Sequence, residues 1–183
     1  MKKIKKYKLI KEMIEYDCRI LYRIVACKNF LLKNGMKIKK GDLGGYVECY
    51  NNLSQDGNCW IFGGAKVMDH ATVLDDAMVY DNATIKGNAL VMGNAIVTWK
   101  STVMDYARIM CDAYLIGPTV MDHVIVMDNC LICGDDILLN GNKIVNEKNA
   151  TIERCNVNDN GLIKNEFLLN KNKIVCWYRS SLN

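Results

Sequence analysis

From Asn58 onward the chain divides by six. The units read NCWIFG, GAKVMD, HATVLD, DAMVYD, NATIKG, NALVMG, NAIVTW, KSTVMD, YARIMC and DAYLIG, without a gap. A five-residue unit, PTVMD, follows, and then HVIVMD, NCLICG and DDILLN. The second place is small: Cys59, Ala65, Ala71, Ala77, Ala83, Ala89, Ala95, Ser101, Ala107 and Ala113. The fourth is β-branched or leucine, from Ile61, Val67 and Val73 through to Ile109 and Leu115. The sixth is mostly Gly or Asp. A fixed short period marks a solenoid, and six is a β-helix period.

Places two and four lie two apart, so on a strand both face the same way. Both therefore point inward, the bulky one filling the core and the small one fitting where the chain bends. Gly, Asp and Asn supply the corners because they tolerate turn conformations best. Rungs stack at about 4.8 Å in a parallel ladder, each coil touching its neighbours alone. A helix needs apolar residues at three-and-four spacing, which six-residue steps do not supply. An ordinary antiparallel sandwich is the weaker alternative.

The length of 183 residues suits one domain with elaborated ends. Half the residues are hydrophobic, yet no apolar stretch is long enough to span a bilayer. The basic start, Met1 to Lys6, is not followed by an apolar signal segment. The expectation is a soluble, cytoplasmic protein. Nine cysteines fit reduced thiols used as small hydrophobes in a reducing compartment. The one CxxC, Cys130 to Cys133, lacks a second ligand pair, and its cysteines should face opposite sides of a strand. No metal or cofactor is expected.

The net charge of +4 is unevenly spread. Residues 1–50 carry 13 Lys and Arg against 5 Asp and Glu; residues 51–140 carry 4 against 11; residues 141–183 carry 7 against 4. A head of +8 thus precedes a body of −7 and a tail of +3. Such a head can approach nucleic acid or acidic protein, although solvated lysines are the plainer reading.

This pattern resembles the left-handed parallel β-helix hexapeptide proteins, in which three hexapeptides make one triangular coil. The resemblance covers about half the chain, and the left hand comes from it alone. The flank narrows it. Tyr22–Ala26, Lys40–Glu48 with Gly41 and Gly44–Gly45, and Asn52–Gly57 look like a subgroup of bacteria, phages and prophages. There a small strand-rich head precedes the β-helix, and members are labelled transferase or polymer-forming protein. The fold expected is therefore all-β: a left-handed parallel β-helix with a small strand-rich N-terminal cap and an irregular C-terminal β segment. The boundaries are 1–50 for the basic cap, 51–140 for the solenoid and 141–183 for the capping or packing segment. Residues 19–25 alternate as a strand, Gly44–Gly45 allow a tight turn, and Leu53 falls in the small-place register six before Cys59. A cap also guards an otherwise open edge.

Many proteins of this fold are acyltransferases, which implies a trimer, a catalytic histidine and a loop extruded from the repeat. This chain has two histidines, and its repeat from Asn58 to Asn140 has no extruded loop. His70 and His123 share a corner column with Asn88 and Tyr106, three rungs apart, about 14 Å. That is too far to share a metal. They are weak candidates for a general base completed by a partner subunit. The sixth-place aspartates are corner formers that bond local backbone.

The outward places carry the stronger signal. The first face mixes Lys66, Met68, Thr84, Lys86, Thr102, Met104, Thr119 and Met121. The second holds Thr72, Leu74, Leu90, Met92, Arg108, Met110, Ile125 and Met127. The third holds Met78, Tyr80, Ile96, Thr98, Tyr114, Ile116, Leu131 and Cys133, with Trp99 at its corner. Contiguous apolar patches rich in Tyr, Met and Trp mark interfaces. The protein's own ends cover one face, or a face binds a partner; both can hold, since two faces need covering. The candidate binding set is Met78, Tyr80, Ile96, Trp99, Tyr114, Ile116 and Leu131. The favoured expectation is a non-catalytic protein-binding β-helix, a homodimer or homotrimer. The resemblance to phage proteins adds a host protein as a further partner, as for an anti-CRISPR inhibitor of bacterial defence. A transferase with its site between subunits and a structural polymer are the alternatives.

Overall fold

In a computed structural model, which describes residues 4–135, 137–141, 144–145, 151–153 and 174–175, each hexapeptide becomes one short strand and one corner. The protein is all-β, a parallel solenoid of about five turns. Three sheets form its faces. Thr84 pairs with Lys66 behind it and Thr102 ahead of it, each 18 residues away, so three hexapeptides close one coil. The second-place alanines and fourth-place Val, Ile and Leu are buried along one continuous core from Cys59 to Leu139. At about 25 cal/mol per Å² of apolar surface, burying each such Val, Leu or Ile contributes roughly 1.5–3 kcal/mol.

The five-residue unit shortens one coil without breaking the ladder. Thr102 pairs with Thr119 and Arg108 with Ile125. The next coil recovers that residue. Thr119 pairs with Leu138, and Ile137 and Leu139 are the buried residues there. The reading of DDILLN as a regular unit is thus one residue out of register: its inward places are Ile137 and Leu139. Beyond it, Ile144–Val145 and Thr151–Glu153 prolong the second and third sheets, and Ile174–Val175 pairs with Thr151–Glu153. The apolar runs Leu162–Ile163, Phe167–Leu169 and Cys176–Tyr178 lie outside the described residues.

The head grows directly out of the first sheet. Strand β2 (Arg19–Ala26) runs antiparallel to both β1 (Tyr7–Tyr16) and β5 (Leu43–Val47), and β5 then pairs parallel with Lys66–Val67. Gly44 and Gly45 make no turn. They sit inside β5, where a Cβ on Gly44 would meet the Ile24 side chain at 2.5 Å and one on Gly45 would strike the Ile61 side chain. Close packing, not φ, demands glycine there. Gly41, at φ 98°, does take the turn conformation. Leu53 bridges to Val73, a fourth-place residue, and so stands in the large place rather than the small one.

Two hairpins of the head fold onto the solenoid. The tip of β1–β2 is tied to the first face. Arg19 pairs with Glu48 and Asp69 at 3.0 and 2.6 Å, Asp17 with Lys86 at 3.1 Å, and Lys66 lies over the Tyr16 ring. Met68, outward on that face, is consequently fully buried. The second hairpin, β3 (Phe30–Leu31) and β4 (Lys37–Ile38), lies on the third face. Phe30 meets Trp60 edge-on at 5.4 Å, and the Asn34 amide donates to the Tyr80 hydroxyl.

The open end of the core is plugged by polar groups. The Lys6 ammonium, 1% exposed, donates to the carbonyls of Asp56, Gly57 and Cys59 and to Cys59 Sγ. The Tyr7 hydroxyl donates to Leu53 O at 2.6 Å, and the Gln55 side chain serves the backbone of Lys6 and Tyr7. Asn52, fully buried, donates to Asp69 O and Ala71 O. Buried backbone groups need such partners.

Candidate functional site

The corners show why the repeat ends in Gly or Asp. Asp69, Asp75, Asp81, Asp105, Asp122 and Asp128 all have φ near +57°, the left-handed region where Asp is tolerated. Their carboxylates do not bond locally. Asp69 Oδ2 accepts from Gly87 N, Asp75 Oδ2 from Gly93 N, Asp105 Oδ2 from Asp122 N, and Asp122 Oδ2 from Gly141 N. Each of these four aspartates therefore ties its own coil to the next. Among the described residues no group of three His, Cys, Asp or Glu could hold a metal ion.

The two histidines are placed at the corner where the period puts them. Both are exposed. His123 stacks on Tyr106, one coil behind it, at 5.0 Å and 8° between planes. The two residues of the CxxC part as expected, Cys130 buried and Cys133 outward and half-buried.

The third face changes character along its length. Its first two outward residues, Trp60 and Met78, are 0% and 2% exposed beneath the β3–β4 hairpin. Phe62 and Tyr80 stack at 4.4 Å and nearly parallel, half-buried, with the Tyr80 hydroxyl held by Asn34. Burial pushes the Tyr80 phenol up from its ordinary value, and the Asn34 amide pulls the other way. Met78 is thus inside the protein, and Tyr80 stands at the hairpin's edge. Beyond it the same face continues as Ile96, Tyr114, Ile116 and Leu131, in register along one sheet. Tyr114 is 38% exposed and Trp99, at the corner, 51%. The covering hairpin has no repeat signature, so periodicity could not reveal it; Phe30 and Leu32 in a lysine-rich stretch were the available signal.

The second face carries Leu74, Leu90, Met92, Met110, Ile125 and Met127, all half-buried, with Arg108 exposed among them. Among the described residues no helix is long and apolar enough to cross a membrane. The fold and its outward strip define a β-solenoid with an apolar face that is uncovered among the described residues. No family model matches the chain, and no curated protein matches it closely enough to count as a relative.

Proposed function

We propose that this protein is a binding β-helix without catalytic chemistry of its own, acting through the uncovered half of its third face as a homo-oligomer. One observation carries the reading. The protein covers Trp60 and Met78 with its own hairpin, yet leaves Ile96, Tyr114, Ile116 and Leu131 on the same sheet without a cover among the described residues. Aromatic and large aliphatic side chains in one row are what an interface core contains. The left hand of the coil, membership of the hexapeptide family and a host protein as further target belong to the same reading. The three-hexapeptide coil and the strand-rich head support the family reading, from which the left hand and the host target follow by resemblance alone.

The test is the double substitution Ile96→Lys with Tyr114→Lys. Both side chains point out, so the fold should survive. Light scattering should show the wild type as a dimer or trimer and the double variant as a monomer. A double variant that keeps the wild-type mass, and every protein contact the wild type makes, would remove this face from consideration.

A further inference from the structure

The third corner holds, coil by coil, Gly63, Asp81, Trp99, Gly117 and Gly134, all at positive φ. Trp99 is out of place in that column. A bulky side chain at φ 62° is disfavoured backbone, and its indole, half in water, fills no core. Strain retained without a packing return points to a site.

The surroundings of the indole are those of a socket. One coil behind it, the Asp81 carboxylate is fixed in place: Oδ2 accepts from Thr98 Oγ1 at 2.6 Å and from Trp99 N at 3.3 Å. Its second oxygen accepts no hydrogen bond among the described residues. Behind that, Gly63 and Gly64 have no side chains, and a Cβ on Gly64 would strike Asn82 Oδ1 at 2.6 Å. The space so kept clear is an open notch of about 340 Å³, which Asn82 and Lys100 also line. Thr98, whose hydroxyl holds Asp81, belongs to the third-face sheet, so the notch adjoins that face there.

We propose that this notch receives an arginine side chain of a partner protein, its guanidinium stacked on Trp99 and donating to Asp81. An indole face attracts a planar cation, and a carboxylate is the matching acceptor for its fork of N–H groups. The solenoid's charge of −7 over residues 51–140 draws a basic surface towards it. The inference rests on the reading above only in taking the occupant to be a protein. Lys100 also lines the notch, and its positive charge opposes a cationic occupant, which gives the assignment its sharpest test.

The probes are a blocked tetra-arginine peptide, the equivalent tetra-lysine peptide and N-acetylglucosamine, titrated while the Trp99 indole N–H is followed by NMR. Trp99→Phe assigns that resonance. Tetra-arginine should shift it saturably, with tetra-lysine weaker by several-fold, about what loss of planar stacking removes. Asp81→Asn should weaken tetra-arginine by about ten-fold, and Lys100→Gln should tighten it. The Ile96→Lys, Tyr114→Lys double variant should bind the peptide as the wild type does, which separates the notch from the face. Equal response to both peptides, a response to the sugar that survives Asp81→Asn, weaker binding by Lys100→Gln, or no response would each overturn the proposal.

Discussion

Lys6 Nζ lies 3.2 Å from Cys59 Sγ, both groups sealed beneath the head at the first coil. Burial pulls the ammonium below the ordinary lysine value, with Cys59 acting in the opposite sense. Burial likewise pushes the Cys59 thiol up, with Lys6 opposing it. Neither group is arranged as reactive chemistry, since a raised thiol is a poor nucleophile at neutral pH. The ammonium is a plug: three donors serve carbonyls that have no coil behind them.

Lys6→Met should therefore destabilise the protein by about 1–3 kcal/mol, the cost of leaving buried carbonyls without donors. Its pH dependence has a definite sign. The unfolded chain keeps the Lys6 proton up to its ordinary value of 10.5, while the folded chain releases it earlier. Between those two points the unfolded state binds more protons, so wild-type stability gains with rising pH. Below the lowered value both states are protonated and the contribution is flat. The gap between wild type and Lys6→Met in urea unfolding should accordingly widen towards alkaline pH. A gap that narrows there would show that the folded state holds the Lys6 proton more tightly than the unfolded chain does, against the lowering by burial.

The corner aspartates combine two contributions that substitution can separate. Asp105 sits at φ 58° and accepts from Asp122 N at 3.2 Å. Asp105→Ala loses the inter-coil bond and forces a Cβ residue without local compensation into the left-handed region, at a cost of about 2 kcal/mol. Asp105→Gly loses only the bond and should cost about 1 kcal/mol. Chemical denaturation of the two variants should rank Ala below Gly; the reverse order would show that the conformation is not what the position selects.

Gly45 is held by space alone. A methyl group there would strike Ile61 Cγ2 and lie 2.6 Å from the Ala65 carbonyl, the second of which belongs to the ladder and cannot give way. Gly45→Ala should cost about 1–3 kcal/mol or more by overpacking, seen as a lowered midpoint in thermal unfolding. An unchanged midpoint would mean that β5 can move off the first coil.

How far the sequence alone could be read follows from what repeats and what does not. Ala65, Val67, Ala71 and Val73 announce the inward places because every coil applies the same selection to them. The corner residues were legible as corners, but not the bonds of Asp69 and Asp105 to the following coil, which need the 18-residue stacking in three dimensions. The register failed at Leu53 and at Ile137, the two ends, where a coil has a neighbour on one side or an extra residue at its corner. Lys6 was invisible for another reason. In a run of Met1 to Lys6 its composition says solvent, and burial comes only from the head closing over it. The outward strip from Ile96 to Leu131 was readable as apolar, whereas the cover on Met78 depended on a hairpin with no period at all.

That hairpin makes a last test. Phe30 holds β3–β4 to the solenoid through Trp60, whose indole is fully buried. Phe30→Ala removes the ring that shields it, at a cost of about 2 kcal/mol for a half-buried aromatic. Trp60 should then shift its fluorescence to the red, while the parallel ladder, which does not use Phe30, keeps its far-ultraviolet dichroism. The exposed row would grow from Ile96, Tyr114 and Leu131 to include Met78 and Trp60. If an uncovered apolar row is what drives self-association, the variant should form heavier species than the wild type at equal concentration. A variant that exposes Trp60 yet shows no added self-association would mean that an uncovered row on this sheet is insufficient to bring copies together.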